Sequence, residues 1–303
     1  MKAAIYFNEL QPLLYGYYIC KGVIFLHRKI SAAVFTVLTA MFMCGCTSDK
    51  NTVGQSAGHN DRGGVTPAET AFLTDGKEKV CYGQGYETDS DNRPVGAIQA
   101  QEKYGSYGGR FIFGKDDKTI RLTFDEGYEN GCTGKILDIL KEKKVTATFY
   151  VTLDYVKSSP ELVQRMINEG HEVGNHSCTH PSLPDISDDM VFEEIHGLET
   201  YISDNFGGYK TVTMRPPRGE FSVRTLRIAK NMGDDTVLWS FAYNDWNTDA
   251  QPDRDTAYRR ITSATHNGAV YLLHAVSETN TAILPDVIDY WLDNGYTVKS
   301  ISG

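Results

Sequence analysis

The sequence predicts an α/β domain built on a parallel sheet of about seven strands, open or closed into a barrel. Three observations carry this prediction. From residue 119 onward, β-branched or apolar runs alternate with segments of helical spacing. Proline and glycine stand where helices should begin and end. Reactive side chains fall just after the apolar runs rather than within them.

Residues 119–124 are β-like, and residues 133–143 have helical spacing through Ile136, Leu137 and Leu140. Residues 145–151 are again β-branched and apolar. Residues 160–169 open on Pro160, a residue favoured in a first helical turn. A short strand over 172–174 precedes a helix over 187–206 capped by Ser187. Residues 211–214 form a strand, and the helix over 222–232 ends at Gly233. A strand over 236–241, a helix over 254–265 and a strand over 269–273 follow. A helix over 281–294, with Gly295 just behind it, leads to the last strand over 296–300. A helix between successive strands requires them to run parallel.

Upstream, residues 1–46 read as an export address. Arg28-Lys29 precede an uncharged apolar run over 30–45 that is short for a membrane span. Met43-Cys44-Gly45-Cys46 is similar to a bacterial lipobox, in which the last Cys is lipidated; an uncleaved membrane anchor is the alternative. Both place the rest of the chain outside the cytoplasm, held at the membrane. The residues before Arg28 exceed what a signal peptide needs and point to a start near Val23 or Leu26. Residues 47–79 are polar and read as a flexible tether. Residues 80–118, rich in Tyr and Gly, read as an extension packed on the catalytic domain, which occupies 119–303. Processing at Cys46 would leave Cys81, Cys132 and Cys178, with no CxxC pair and no disulfide framework. Hydrophobic residues make up 41% of the chain, ample for one large core. A net charge of −9 without a basic stripe excludes nucleic acid as a favoured partner.

The chemistry-bearing residues sit at the expected strand ends. These are Asp125-Glu126, His176 with His180, Arg215, Asp245-Trp246, and His274. In parallel α/β barrels the active site is built at the C-terminal ends of the strands. In a helical turn, His176 and His180 would share one face, within reach of one metal ion. Two isolated histidines four apart are ordinarily surface or core residues, but an acidic pair at another strand end changes the balance. Neutral histidines plus a carboxylate, with positions open for water, make a catalytic metal arrangement. One carboxylate of Asp125-Glu126 would bind metal and the other take a proton from water. Arg215 would hold Asp125 ionised. His274 suits a general acid, its other nitrogen held by Asp245.

These residues resemble the polysaccharide deacetylase family, whose domain is also called the NodB homology domain. The likeness covers residues 119–302 and runs in order. Its motifs are Thr123-Phe124-Asp125-Glu126-Gly127, His176-Ser177-Cys178-Thr179-His180, Arg215-Pro216-Pro217, Asp245-Trp246 and Leu272-Leu273-His274. The resemblance implies a distorted (β/α) barrel that removes acetyl groups from glycans with a divalent metal, zinc above all. It implies Asp125 as base, His176 and His180 as metal ligands with Glu126 in place of the usual Asp, and His274 as acid. Arg215 would orient Asp125, Asp245 would support His274, and Trp246 and Leu272 would line the pocket for the acetyl methyl. Phe124-Asp125-Glu126-Gly127-Tyr128-Glu129-Asn130-Gly131 and Met214-Arg215-Pro216-Pro217-Arg218-Gly219 are similar to the delta-lactam-forming peptidoglycan deacetylases of spore formers. That subgroup implies N-acetylmuramic acid in a peptidoglycan strand as substrate, with Arg218 on its lactyl carboxylate. A deacetylase of chitin-like or xylan-like glycans, and a wall-binding domain that has lost its metal, are the rival readings.

Overall fold

The computed structural model describes residues 75–303, all within one unit, Gly63–Gly303. The export signal, the lipobox at Cys46 and the tether as far as residue 74 lie outside the described residues. Among the described residues no helix is long and apolar enough to cross a membrane.

The extension contributes β1 (Val80–Cys81), α1 (Val95–Tyr104) and β2 (Gly109–Arg110). The alternating region follows with β3 (Thr119–Glu126), α2 (Thr133–Lys143), β4 (Thr148–Val151), α3 (Leu153–Ser158), α4 (Pro160–Asn168) and β5 (Glu172–Asn175). Next come α5 (Asp188–Asn205), β6 (Thr213–Met214), β7 (Glu220–Phe221), α6 (Val223–Met232) and β8 (Asp235–Val237). The chain ends with α7 (Arg254–Ser263), β9 (Ala269–His274), α8 (Glu278–Asp293) and β10 (Thr297–Lys299). Side chains set several boundaries. Ser187 accepts from Met190 N at the start of α5, and Ser222 and Thr225 form a reciprocal cap on α6. Ser277 accepts from Asn280 N, which starts α8 earlier than the apolar spacing alone indicates.

The eight-stranded sheet runs β10-β3-β4-β5-β6-β8-β2, with β9 also paired to β3. All of its pairings are parallel. Each strand anticipated from the sequence forms, and β2 adds one from the extension. Beyond β8 the chain reaches β9 as well, where Phe241 pairs with Tyr271. The sheet thus curls into a distorted barrel. β7 stands apart, paired antiparallel with β1.

Period-2 alternation along β3 sorts its side chains into two environments. Ile120, Leu122 and Phe124 join the main core between sheet and helices. Thr123 and Asp125 face the barrel interior, where Tyr150, Val237 and Val270 pack. Gly174 is required there: a Cβ at that position would stand 2.5 Å from the Tyr150 ring. A second apolar cluster joins the extension to the barrel through Tyr104, Phe111, Phe221, Leu226 and Leu238.

Candidate active site

Asp125 and His274 end neighbouring strands and are partners in the β3–β9 register, so their side chains emerge side by side. Arg215, fully buried, follows β6. Its guanidinium lies 4.3 Å over the Tyr150 ring that Gly174 admits. Its Nη1 donates to Thr123 Oγ1 and to Asp125 Oδ1, both at 2.8 Å, and its Nε donates to Val237 O at 3.1 Å. Burial alone would raise the Asp125 carboxyl. The positive charge of Arg215, helped by His176 and His274, outweighs burial and holds it below the ordinary value. Asp125 is therefore an oriented carboxylate at neutral pH.

His176 and His180 meet with ring centroids 4.9 Å apart, but not on a helix. The segment after β5 is a loop in which Ser177 and His180 take positive φ, 68° and 58°. The helical turn expected from the four-residue spacing is corrected accordingly. Asn175 Oδ1 accepts from Ser177 N, and Ser177 Oγ accepts from His180 N, so the loop is tied to itself. His176 Nδ1 donates to Arg215 O at 2.8 Å. That bond leaves Nε2 as the lone-pair nitrogen, 3.6 Å from Asp125 Oδ2. Burial lowers the pKa of His176. Partial burial, then the neighbouring His176, lowers that of His180. Both rings are neutral at pH 7, the form that binds metal. Cys178 turns toward α5, its backbone N donating to Glu194 O.

His274 Nδ1 donates to Asp245 Oδ1 at 2.7 Å, and His274 N donates to Asp245 Oδ2 at 2.9 Å. Asp245 is fully buried and also accepts from Asn280 Nδ2 at 2.6 Å. Burial opposes a charge on the imidazole. The Asp245 hydrogen bond and charge, with that of Asp125, exceed this and raise the pKa of His274. Its Nε2 remains for the cleft. That cleft, 1110 Å³ in volume, is lined by Asp125, His176, His180, His274, Arg218, Trp246 and Leu272 among others.

Comparison with known proteins matches this arrangement to a family. The polysaccharide deacetylase family model covers residues 114–237. Peptidoglycan-N-acetylmuramic acid deacetylase PdaA of Bacillus subtilis is 42% identical over 200 residues, 66% of this chain and 75% of that protein. The chain belongs to the polysaccharide deacetylase family. The solved structure of B. subtilis PdaA, a family 4 carbohydrate esterase, superposes with a TM-score of 0.71 at 38% identity. It covers 75% of this chain and 96% of that one. A family 4 carbohydrate esterase of Bacillus anthracis gives 0.62 at 37% identity, covering 75% and 95%.

The deacetylases of this family are metal-dependent. His176 and His180 fit that requirement. Both are neutral, and His176 has its second nitrogen fixed by a carbonyl, as ligating imidazoles ordinarily do. Glu126 does not join them. β3 continues through residue 126, so strand alternation turns Glu126 away from Asp125 and into the helix layer. It is fully buried, and Thr133 Oγ1 donates to it at 3.3 Å. Burial, with the charges of Glu129 and Asp125, raises its pKa well above the ordinary value. Strand alternation and the Thr133 hydrogen bond thus turn the Glu126 carboxyl away from the histidines with which it was expected to share a metal. Among the described residues no group of three or more His, Cys, Asp or Glu side chains is placed as a metal site. The His176–His180 pair, with Asp125 beside it, would be the protein's contribution to a bound metal. Glu126→Gln is expected to leave metal affinity within about twofold, because the side chain faces away from the histidines and the amide oxygen can still accept from Thr133. Competitive titration with a metal chelator measures it, and a tenfold loss would return Glu126 to the metal site.

The sequence reading lacks several members of this site. Asn280 grips Asp245 from α8, and Gln251 Nε2 donates to Asp245 O at 2.7 Å. Thr123 helps to position Arg215. The rim residues Gln84 and Tyr86 come from the extension. An alternating strand pattern puts Thr123 on the same face as Asp125, which was a usable signal. Nothing local marks the other four.

Proposed function

We propose that this deacetylase removes the N-acetyl group from N-acetylmuramic acid residues of peptidoglycan whose peptide is already gone. Arg218 carries the reading. It lies at the rim of the cleft that holds Asp125 and His274. Its backbone is held left-handed, at φ 61°, and among the described residues its guanidinium has no hydrogen bond or ion pair. A bare lactyl group offers one carboxylate, which a guanidinium binds through two parallel hydrogen bonds. A muramic residue still bearing its peptide has an amide there instead. The name of the B. subtilis relative, a peptidoglycan-N-acetylmuramic acid deacetylase, supports the same choice.

The proposed chemistry is amide hydrolysis. A divalent ion, zinc in this proposal, held by His176 and His180 would polarise the acetamide carbonyl and acidify water. Asp125, ionised and oriented by Arg215, accepts the proton of the attacking water. As the C–N bond breaks, His274 Nε2 gives its proton to the departing nitrogen, with Asp245 stabilising the imidazolium. Trp246 and Leu272 enclose the acetyl methyl. Acetate leaves, and the freed amine stands near the lactyl carboxylate with which it can close a delta-lactam, the ring the resemblance assigns to spore cortex. Action on the wall places the domain outside the cytoplasm, tethered through Cys46 or the apolar run before it.

Assay of the purified protein on amidase-treated peptidoglycan and on chitin oligomers, with and without added zinc, tests the reading. Muramic deacetylation that needs the metal is the expected result. Turnover of chitin oligomers alone would reject the muramic substrate. Arg218→Ala is expected to cost about 1.5–3 kcal/mol in kcat/KM on muramic substrates, the size of a hydrogen bond to a charged group. Equal loss on N-acetylglucosamine oligomers would make Arg218 structural.

A further inference from the structure

One wall of the cleft comes from the extension and takes no part in the reaction. Residues 82–86 are anchored there by side chains and backbone together. Tyr82 N donates to Gly219 O at 3.0 Å, and Tyr82 Oη donates to Trp239 O at 2.6 Å. The Gln84 amide donates to Ala242 O and accepts from Trp239 Nε1, both at 2.9 Å. The segment also lies close over the start of α1, since a Cβ on Gly96 would stand 2.5 Å from Gln84 O. From this fixed base Tyr86 reaches the cleft with 99% of its surface exposed.

A ring that exposed adds little to folding. Tyr128 and Trp246, 53% and 57% exposed, line the same cleft. Exposed apolar surface gathered on a groove marks a binding site rather than chance. The cleft's 1110 Å³ also exceeds the roughly 300–1,000 Å³ of pockets that hold one small molecule. It has room for more than one sugar ring.

We propose that Tyr86 forms a separate sugar-binding position, which takes the pyranose ring next to the residue being deacetylated. This rests on the peptidoglycan reading above. A pyranose offers an apolar C–H face and a rim of hydroxyls. A tyrosine ring matches both, with its face against the C–H bonds and its hydroxyl in water. It does so at low entropic cost, having only two side-chain torsions to fix. Gln84 acts as the positioning residue that holds the segment against Trp239.

Wild-type protein, Tyr86→Ala and Tyr86→Phe should be compared on peptide-free peptidoglycan strands graded by length, with KM from turnover and Kd from calorimetry on the same strands. For Tyr86→Ala, KM and Kd on long strands are expected to rise about three- to tenfold, the size of one aromatic contact. The loss should shrink as strands shorten, and Tyr86→Phe should restore most of it. Equal KM and Kd for wild type and Tyr86→Ala at every length would overturn the proposal. Tyr86-dependent binding without any deacetylation would uphold this sugar position and reject the reaction assigned above. Deacetylation indifferent to Tyr86 would do the reverse, and neither binding nor turnover would reject both.

Discussion

Replacing His176 or His180 with alanine is expected to abolish divalent-metal binding and to lower kcat/KM by about 10³-fold or more. That corresponds to losing several kcal/mol of transition-state charge stabilisation. The two rings, with centroids 4.9 Å apart, offer neutral nitrogens to the cleft, and Glu126 faces the other side of β3. The fold should survive. His180 sits on a loop at the cleft mouth, and His176→Ala leaves one carbonyl, Arg215 O, short of a donor, a cost on the order of 1–3 kcal/mol. Metal content after dialysis, together with kinetics and a thermal melt, checks this. Full activity or one retained metal ion per chain in either variant would remove these residues from the metal site.

Asp245→Asn is expected to lower kcat by about 10²–10⁴-fold, the range for a displaced general acid. It should also shift the alkaline limb of the pH profile to lower pH. The sign follows from the charge. Asp245 raises the pKa of His274 against the effect of burial, so the imidazolium that donates the proton persists above the ordinary histidine range. Removing the carboxylate lowers that pKa, and the acid is lost earlier as pH rises. An amide also cannot fit the same bonds. Its NH2 must oppose either His274 Nδ1–H or the two donors that share Oδ2, His274 N and Asn280 Nδ2. The kcat–pH profile measures the effect. A uniform loss at every pH, accompanied by a lower Tm, would make Asp245 structural.

The strand ends that carry Asp125, His176, Arg215 and His274 were legible because each apolar run stops at a reactive residue, and a parallel sheet brings such stops to one rim. The adjacency of Asp125 and His274 follows from strand order, which the alternation of elements indicates but does not specify. The direction Glu126 faces was not legible for a local reason. The sequence allows the backbone to turn at residue 125, whereas β3 keeps its alternation for one residue more. The loop from Ser177 to His180 uses positive φ at residues other than glycine, a conformation that composition does not announce. Tyr86 and Gln84 reach the cleft through contacts with residues 219–242, and no periodicity encodes pairings across such separations.

β2 ends the sheet, where Gly108 O and Arg110 O accept from the backbone amides of Thr236 and Leu238. Were the extension to detach, those amides would form an open edge beside newly bared Phe221, Leu226 and Leu238. Open edges and fresh apolar surface are templates on which further copies of a chain add and aggregate. The extension therefore covers an edge and an apolar surface that would otherwise be open. Changes that loosen it would bare this edge and displace Tyr86 from the cleft together.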